Sequence, residues 1–206
     1  VAHVDLFCGR LNNGIATQLQ TGCKYSIIAS AEANSYWNTP TLKRMLEAAV
    51  AGAKAIGVAI NELSESILDG RIANTFAIWR NIDLLTVGGF DMRAAKPADD
   101  RVATYMRGWD DERGDVYYQT GGVEEMIPLA RLVEYFGPCV APILPFSDDG
   151  KEQRYEMPDR HEQPELWLRH ISKFGTKFER QLAHLVSVGF DMSFIEGGVM
   201  PEYRNQ

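Results

Sequence analysis

The stretch VDLFCGRLNNG, residues 4–14, carries the reading on which the fold depends. Residues 1–7 are short and apolar, with β-branched Val1 and Val4, and they run into Gly9. That pattern predicts a buried strand over 1–7, a loop over 8–13 and a helix beginning at Gly14. A strand, a glycine turn and a helix form a cradle for a nucleotide-like ligand. Glycine lets the backbone come close, and helix N-terminal amides favour polar or anionic groups. An acidic residue at the end of the next strand can accept both ribose hydroxyls, and Glu32 in ASAEANSYW occupies that place. The alternative for the same residues is an ordinary tight turn in an α/β protein.

Working outward, YSIIASA at 25–31 reads as a second buried strand. Pro40 between two threonines starts a helix expected over 42–60, with Leu42, Met45, Leu46 and Ala49 on one face. Residues 62–80 read as partly helical, with a break at Asp69-Gly70, and IDLLTV at 82–87 reads as a buried strand ending at Gly88-Gly89. A helix is expected over 123–136 and a strand over 140–144, interrupted by Pro142. Residues 145–165 are polar and rich in Pro, Asp and Glu, which predicts a flexible loop or an insertion. Phe174, Phe178, Leu182 and Leu185 fall at helical spacing up to Gly189, and the alternation of Phe190, Met192 and Phe194 predicts a closing strand. Strands alternating with helices imply an α/β fold with a doubly wound, mostly parallel sheet.

With 206 residues and 45% hydrophobic content, the chain suits a single domain able to bury a core. It has no apolar run long enough to span a bilayer, and since residues 1–20 show no basic segment followed by an apolar one, no secretory signal is expected. Cys8, Cys23 and Cys139 form an odd, widely spaced set without CxxC, which points to an intracellular reducing compartment, cytoplasm or nucleus, and to no structural zinc. The net charge of −7 weighs against gripping DNA or RNA phosphates, where affinity comes from Lys and Arg. Asp110, Asp111, Glu112 and Asp115 cluster, but a solvated turn accounts for them, and His161 and His170 lack partners at metal-ligand spacing. No metal is therefore expected. Trp37 could stack on an adenine or pack at a helix start.

Taken together, these segments resemble the cytosine-5 DNA methyltransferases, which use S-adenosylmethionine. DLFCGRLNNG is similar to that family's opening DLFxGxGG turn, and Glu32 to its acidic residue after strand two. IDLLTVGGF at 82–90 resembles the catalytic strand. DDERGDVYY at 110–118, RLVEYFGP at 131–138, GTKFERQLAHLVSVGFDMSF at 175–194 and the final PEYRNQ follow in the family's order. The resemblance implies a Rossmann-like SAM-methyltransferase fold over 1–206. It also implies an S-adenosylmethionine site at Phe7, Cys8, Gly9, Gly14 and Glu32, with Asp69 on the adenine side. Leu11 and Asn12 stand where the family has paired glycines.

The family's chemistry is not matched. Its reaction needs a thiolate to attack C6 of a flipped-out cytosine. Met92 stands where that cysteine belongs, and a thioether has no proton to lose. Leu144 stands where the family's ring-holding Glu belongs, Glu202 replaces a Gln, and Gln206 replaces the second Arg. No catalytic residue is therefore expected. The resemblance also stops where the family's target-recognition domain would begin, so sequence-specific DNA reading is not expected. The first expectation is a catalytically inactive relative that acts as a binding, regulatory or structural subunit with a protein partner or as an oligomer. A second is an active methyltransferase with altered chemistry, using Asp91 or Arg93 near the methyl group or completed by a partner chain. A third is a purely structural building block of a larger assembly.

Overall fold

The computed structural model describes residues 2–30, 37–59, 71–91, 124–151, 159–165, 167, 185–186 and 188–204. Within them the order is α1 (Ala2–Gln20), β1 (Tyr25–Ala29), α2 (Thr39–Val50), β2 (Ala55–Ala59), β3 (Ile72–Arg80), α3 (Asn81–Thr86), α4 (Met126–Phe136), β4 (Val140–Ile143), α5 (Met192–Gly197) and a 3₁₀ turn at Pro201–Tyr203. The four strands form one mixed sheet in the order β1-β3-β2-β4. β3 is antiparallel to both β1 and β2, while β2 and β4 are parallel, so three strands share one direction.

Helices cover both faces of this sheet. On one face Trp79, Ala55, Val140 and Ala77 pack with Cys8 and Ile15 of α1, Leu84 of α3, Leu129 and Leu132 of α4 and Ile195 of α5. On the other, Ile56, Ile78, Phe76, Ala141 and Ile143 pack with Met45 and Ala48 of α2. The expected α/β class is therefore present in a sheet of mixed direction.

Five expected elements differ. The chain over 1–7 is not a strand followed by a loop: one helix runs continuously from Ala2 to Gln20. Cys8, Leu11 and Ile15 recur at helical spacing and turn to the core, and this burial outweighs the helix-weakening effect of Gly9 and Gly14. Residues 82–86 form helix, within α3, rather than strand. Leu84 is buried while Ile82 is half exposed, Thr86 Oγ1 donates to Ile82 O at 2.8 Å, and the left-handed Gly88 (φ +96°) and Gly89 (φ +68°) stop the chain.

The helix expected over 42–60 ends at Val50. Gly52 (φ +102°) closes it, with its N–H on Ala49 O and the Ala53 N–H on Ala48 O, and AIGVA then forms the central strand β2. At Gly57 a Cβ would lie 2.8 Å from Ile72 Cβ, so glycine lets β2 and β3 approach closely beside their irregular register at Gly57/Val58. Helix expected toward residue 80 is replaced by the nine-residue β3. Finally, Met192–Gly197 is a short helix rather than a strand. Asp191 caps it by accepting from Phe194 N–H at 3.0 Å, and Phe190 stacks on Phe194 at 4.8 Å.

The strands expected at 25–31 and 140–144 and the helix expected at 123–136 are present as β1, β4 and α4. Gly189 (φ +87°) receives the turn that ends the segment at Leu185 and Val186. The rest of the helix expected over 174–184 lies outside the described residues.

Candidate functional site

The residues expected to cradle a cofactor are distributed along one helix. Phe7, Cys8, Gly9 and Gly14 all lie in α1, and neither glycine has the left-handed backbone of a turn. Cys8 is fully buried in the core. Asn12, which stands where the resemblance expects glycine, has a structural role. Its amide donates to Phe90 O at 2.9 Å and accepts from Phe90 N–H at 2.8 Å, pairing with the backbone as a strand neighbour would. Gly89 beside it is required by both positive φ and space, because a Cβ there would collide with the Asn12 amide. Glu32, Asp69, Met92 and the acidic run at 110–115 lie outside the described residues. Leu144 is buried immediately after β4, and Asp91 pairs with Arg131 of α4 at 3.1 Å.

Two polar clusters hold the sheet to its helices. Where β2 and β4 begin, Asp83 accepts from Lys54 Nζ at 2.8 Å and lies 3.1 Å from Arg80 Nη1. The Lys54 ammonium also stands 4.1 Å from the centre of the Phe136 ring. Burial pushes the neighbouring Cys139 thiol up to about 12, with Lys54 pulling it down and Asp83 pushing it up. A thiol so held is protonated at neutral pH and is a poor nucleophile. Sequence reading missed this cluster because Asp83 was placed in an apolar strand.

At the opposite end of those strands, the N-terminus of α2 is fastened to the chain beyond β4. Asn38 Oδ1 accepts from Thr41 N–H at 2.9 Å, and Asn38 Nδ2 donates to Phe146 O. Thr41 Oγ1 accepts from Phe146 N–H at 2.9 Å, and Arg44 lies over the Phe146 ring at 4.1 Å. Among the described residues, no group of three or more His, Cys, Asp or Glu stands close enough to hold a metal ion, and no helix is long and apolar enough to cross a membrane.

The arrangement with exposed binding chemistry is the outer edge of β1. The bond from Asn81 N–H to Lys24 O (2.9 Å) extends the β1–β3 ladder by one pair. Antiparallel alternation then makes Ser26 and Ile28 the residues that bond to β3. Tyr25, Ile27 and Ala29 turn their N–H and C=O groups to the other side, where the sheet has no further strand among the described residues.

Ile27 pairs with Ile78 and so shares the face covered by α2, yet it is 47% exposed. Trp37 is 53% exposed and meets Phe76, the partner of Ala29, at 5.3 Å between ring centres. Leu46 is 56% exposed, one turn from Ala49, whose carbonyl accepts the Tyr25 hydroxyl at 3.0 Å. Main-chain groups that meet no strand among the described residues and exposed apolar side chains thus occupy one place. YSIIASA reads as a buried strand, and nothing in those residues separates an edge strand from a central one.

No family model, no curated protein and no solved structure matches this chain.

Proposed function

We propose that this chain is a non-catalytic binding or structural subunit that works by association with protein. The observation that carries the reading is the β1 edge, where outward main-chain groups of Tyr25, Ile27 and Ala29 lie beside exposed Ile27, Trp37 and Leu46. Exposed edges and apolar patches of this kind are sites of protein contact. Two features of the sequence support the same reading. Met92 cannot supply the thiolate that cytosine methylation needs, and the buried Leu144 can neither give nor take a proton.

The test is a photo-crosslinking side chain placed at Leu46 and, as a control, at exposed Glu162. Protein adducts formed in cells in excess from position 46 are expected. Equal yields from both positions would overturn the reading. Calorimetric titration with S-adenosylmethionine and S-adenosylhomocysteine accompanies it. Saturable binding that Glu32→Ala weakens would establish a cofactor site, and methyl transfer to an acceptor by the loaded protein would overturn the non-catalytic reading.

A further inference from the structure

We infer that Arg204 is the latch of a strap that closes the β4 edge, its guanidinium taking the place of a further strand. The strap is the segment 198–200, and the device does not depend on how the chain meets other proteins.

The main chain of the strap has two sides. On the inner side Gly198 O accepts from Cys139 and Val140 N–H at 2.9 and 3.0 Å, and Met200 N–H donates to Val140 O at 2.9 Å. Val199 is the residue bridged in parallel to Val140. With Gly198 O and Met200 N–H turned inward, alternation along the extended chain leaves the carbonyls of Gly197 and Val199 on the outer side. These are the acceptors that the N–H groups of a further strand would fill.

Arg204 fills both of them. Its Nε donates to Val199 O at 2.9 Å and its Nη2 to Gly197 O at 3.2 Å. A guanidinium presents its N–H groups in a fixed fork, which a lysine ammonium on a flexible stem does not reproduce. The other outer positions are closed as well. Val199 N–H turns back to Glu196 O at 3.2 Å, and Pro201 has no N–H.

The path of the chain delivers the latch. The 3₁₀ turn at Pro201–Tyr203, with Tyr203 N–H on Met200 O at 2.9 Å, reverses the chain and returns Arg204 to the carbonyls it brackets. Val199 is fully buried, and Met200 and Tyr203 pack against the core between the sheet and α2. The strap's pairing with β4 is nevertheless short, because Pro142, the next outward residue of that strand, has no N–H to extend it. Short pairings open locally at low cost. The Arg204 fork opposes that opening by holding the outer carbonyls in the paired conformation.

Amide exchange by NMR on the full chain tests the latch. Arg204→Met keeps a long stem and removes both donors. It is expected to speed exchange at Val140 and Met200 about tenfold, as the loss of charge-assisted bonds implies. The accelerated exchange is expected to be indifferent to low urea, the mark of local opening. Arg204→Lys keeps the charge without the fork and is expected to fall between the two proteins. Unchanged exchange at Val140 and Met200 in Arg204→Met overturns the inference. So does acceleration that follows urea as steeply as exchange at the buried Trp79, since that marks a loss of overall stability. Full protection in Arg204→Lys also overturns it, because charge alone would then suffice.

Discussion

The two edges of the sheet differ in how their outward main chain is met. At β4 the chain comes back to cover its own edge. Cys139 N–H and Val140 N–H both donate to Gly198 O, at 2.9 and 3.0 Å, Met200 N–H donates to Val140 O at 2.9 Å, and Val140 and Val199 form a parallel bridge. The four residues of β4 are all buried. At β1 the corresponding main-chain groups face outward, and Ile27 and Ala29 are exposed. Both strands are short and apolar. Two things separate them: β4 carries Pro142, which has no N–H to offer, and the chain returns from about sixty residues further along to pair with Val140, whereas no described strand pairs with the outer side of β1.

The comparison can be broken most severely at the centre that both edges share. Trp79 is fully buried and meets Phe90 edge-on at 5.2 Å. Trp79→Ala is expected to cost about 3–5 kcal/mol in urea unfolding and to damage both edges together.

A smaller and more local effect is expected from Gly198→Ala. The added Cβ would collide with the Val133 side chain and come within 3.1 Å of Ile195 O, prising the return segment from β4. The expected loss is about 1–3 kcal/mol, with faster amide exchange at Val140 and Met200 and no change at β1. An unchanged midpoint would mean that the β4 edge is closed by something other than this contact.

Ile27→Lys sharpens the contrast from the other side. Monomer stability should stay within about 0.5 kcal/mol of wild type, because the side chain already stands half in solvent. A stability loss as large as that at Gly198 would mean that β1 is held by the monomer itself.

The smallest effect expected is one of pH. Burial raises the Cys139 thiol from 9.0 to about 12 in the folded protein. The unfolded chain therefore loses this proton first. The thiol's contribution to stability is complete below pH 9.0 and is lost as pH rises from there toward about 12. Cys139→Ala should give a shallower loss of stability over that range, measured as the urea midpoint against pH. Equal slopes in the two proteins would show that the thiol is not held in this way.

The sequence alone determined the elements whose local signals agree with their burial. Pro40 between Thr39 and Thr41 starts α2, the apolar face of Ile127, Leu129, Leu132 and Val133 makes α4, and the runs at 25–29 and 140–143 make strands. It also determined which chemistry Met92 and Leu144 do not offer, since that follows from atoms and not from placement.

Tertiary structure decided the rest, because short apolar runs satisfy a strand and a helix equally well. In VDLFCGRLNNG, two glycines suggest a turn, yet the burial of Cys8 and Ile15 and the bonds from Asn12 to Phe90 hold a helix. In IDLLTV, the pairing of Asp83 with Lys54 and Arg80 makes a buried carboxylate tolerable on a helix that the apolar run before Gly88-Gly89 had suggested was a buried strand. The β1 edge belongs to the same class. Whether Ile27 is core or surface depends on whether another strand lies beside it, and that neighbour is fixed by the path of the whole chain and by no property of the five residues themselves.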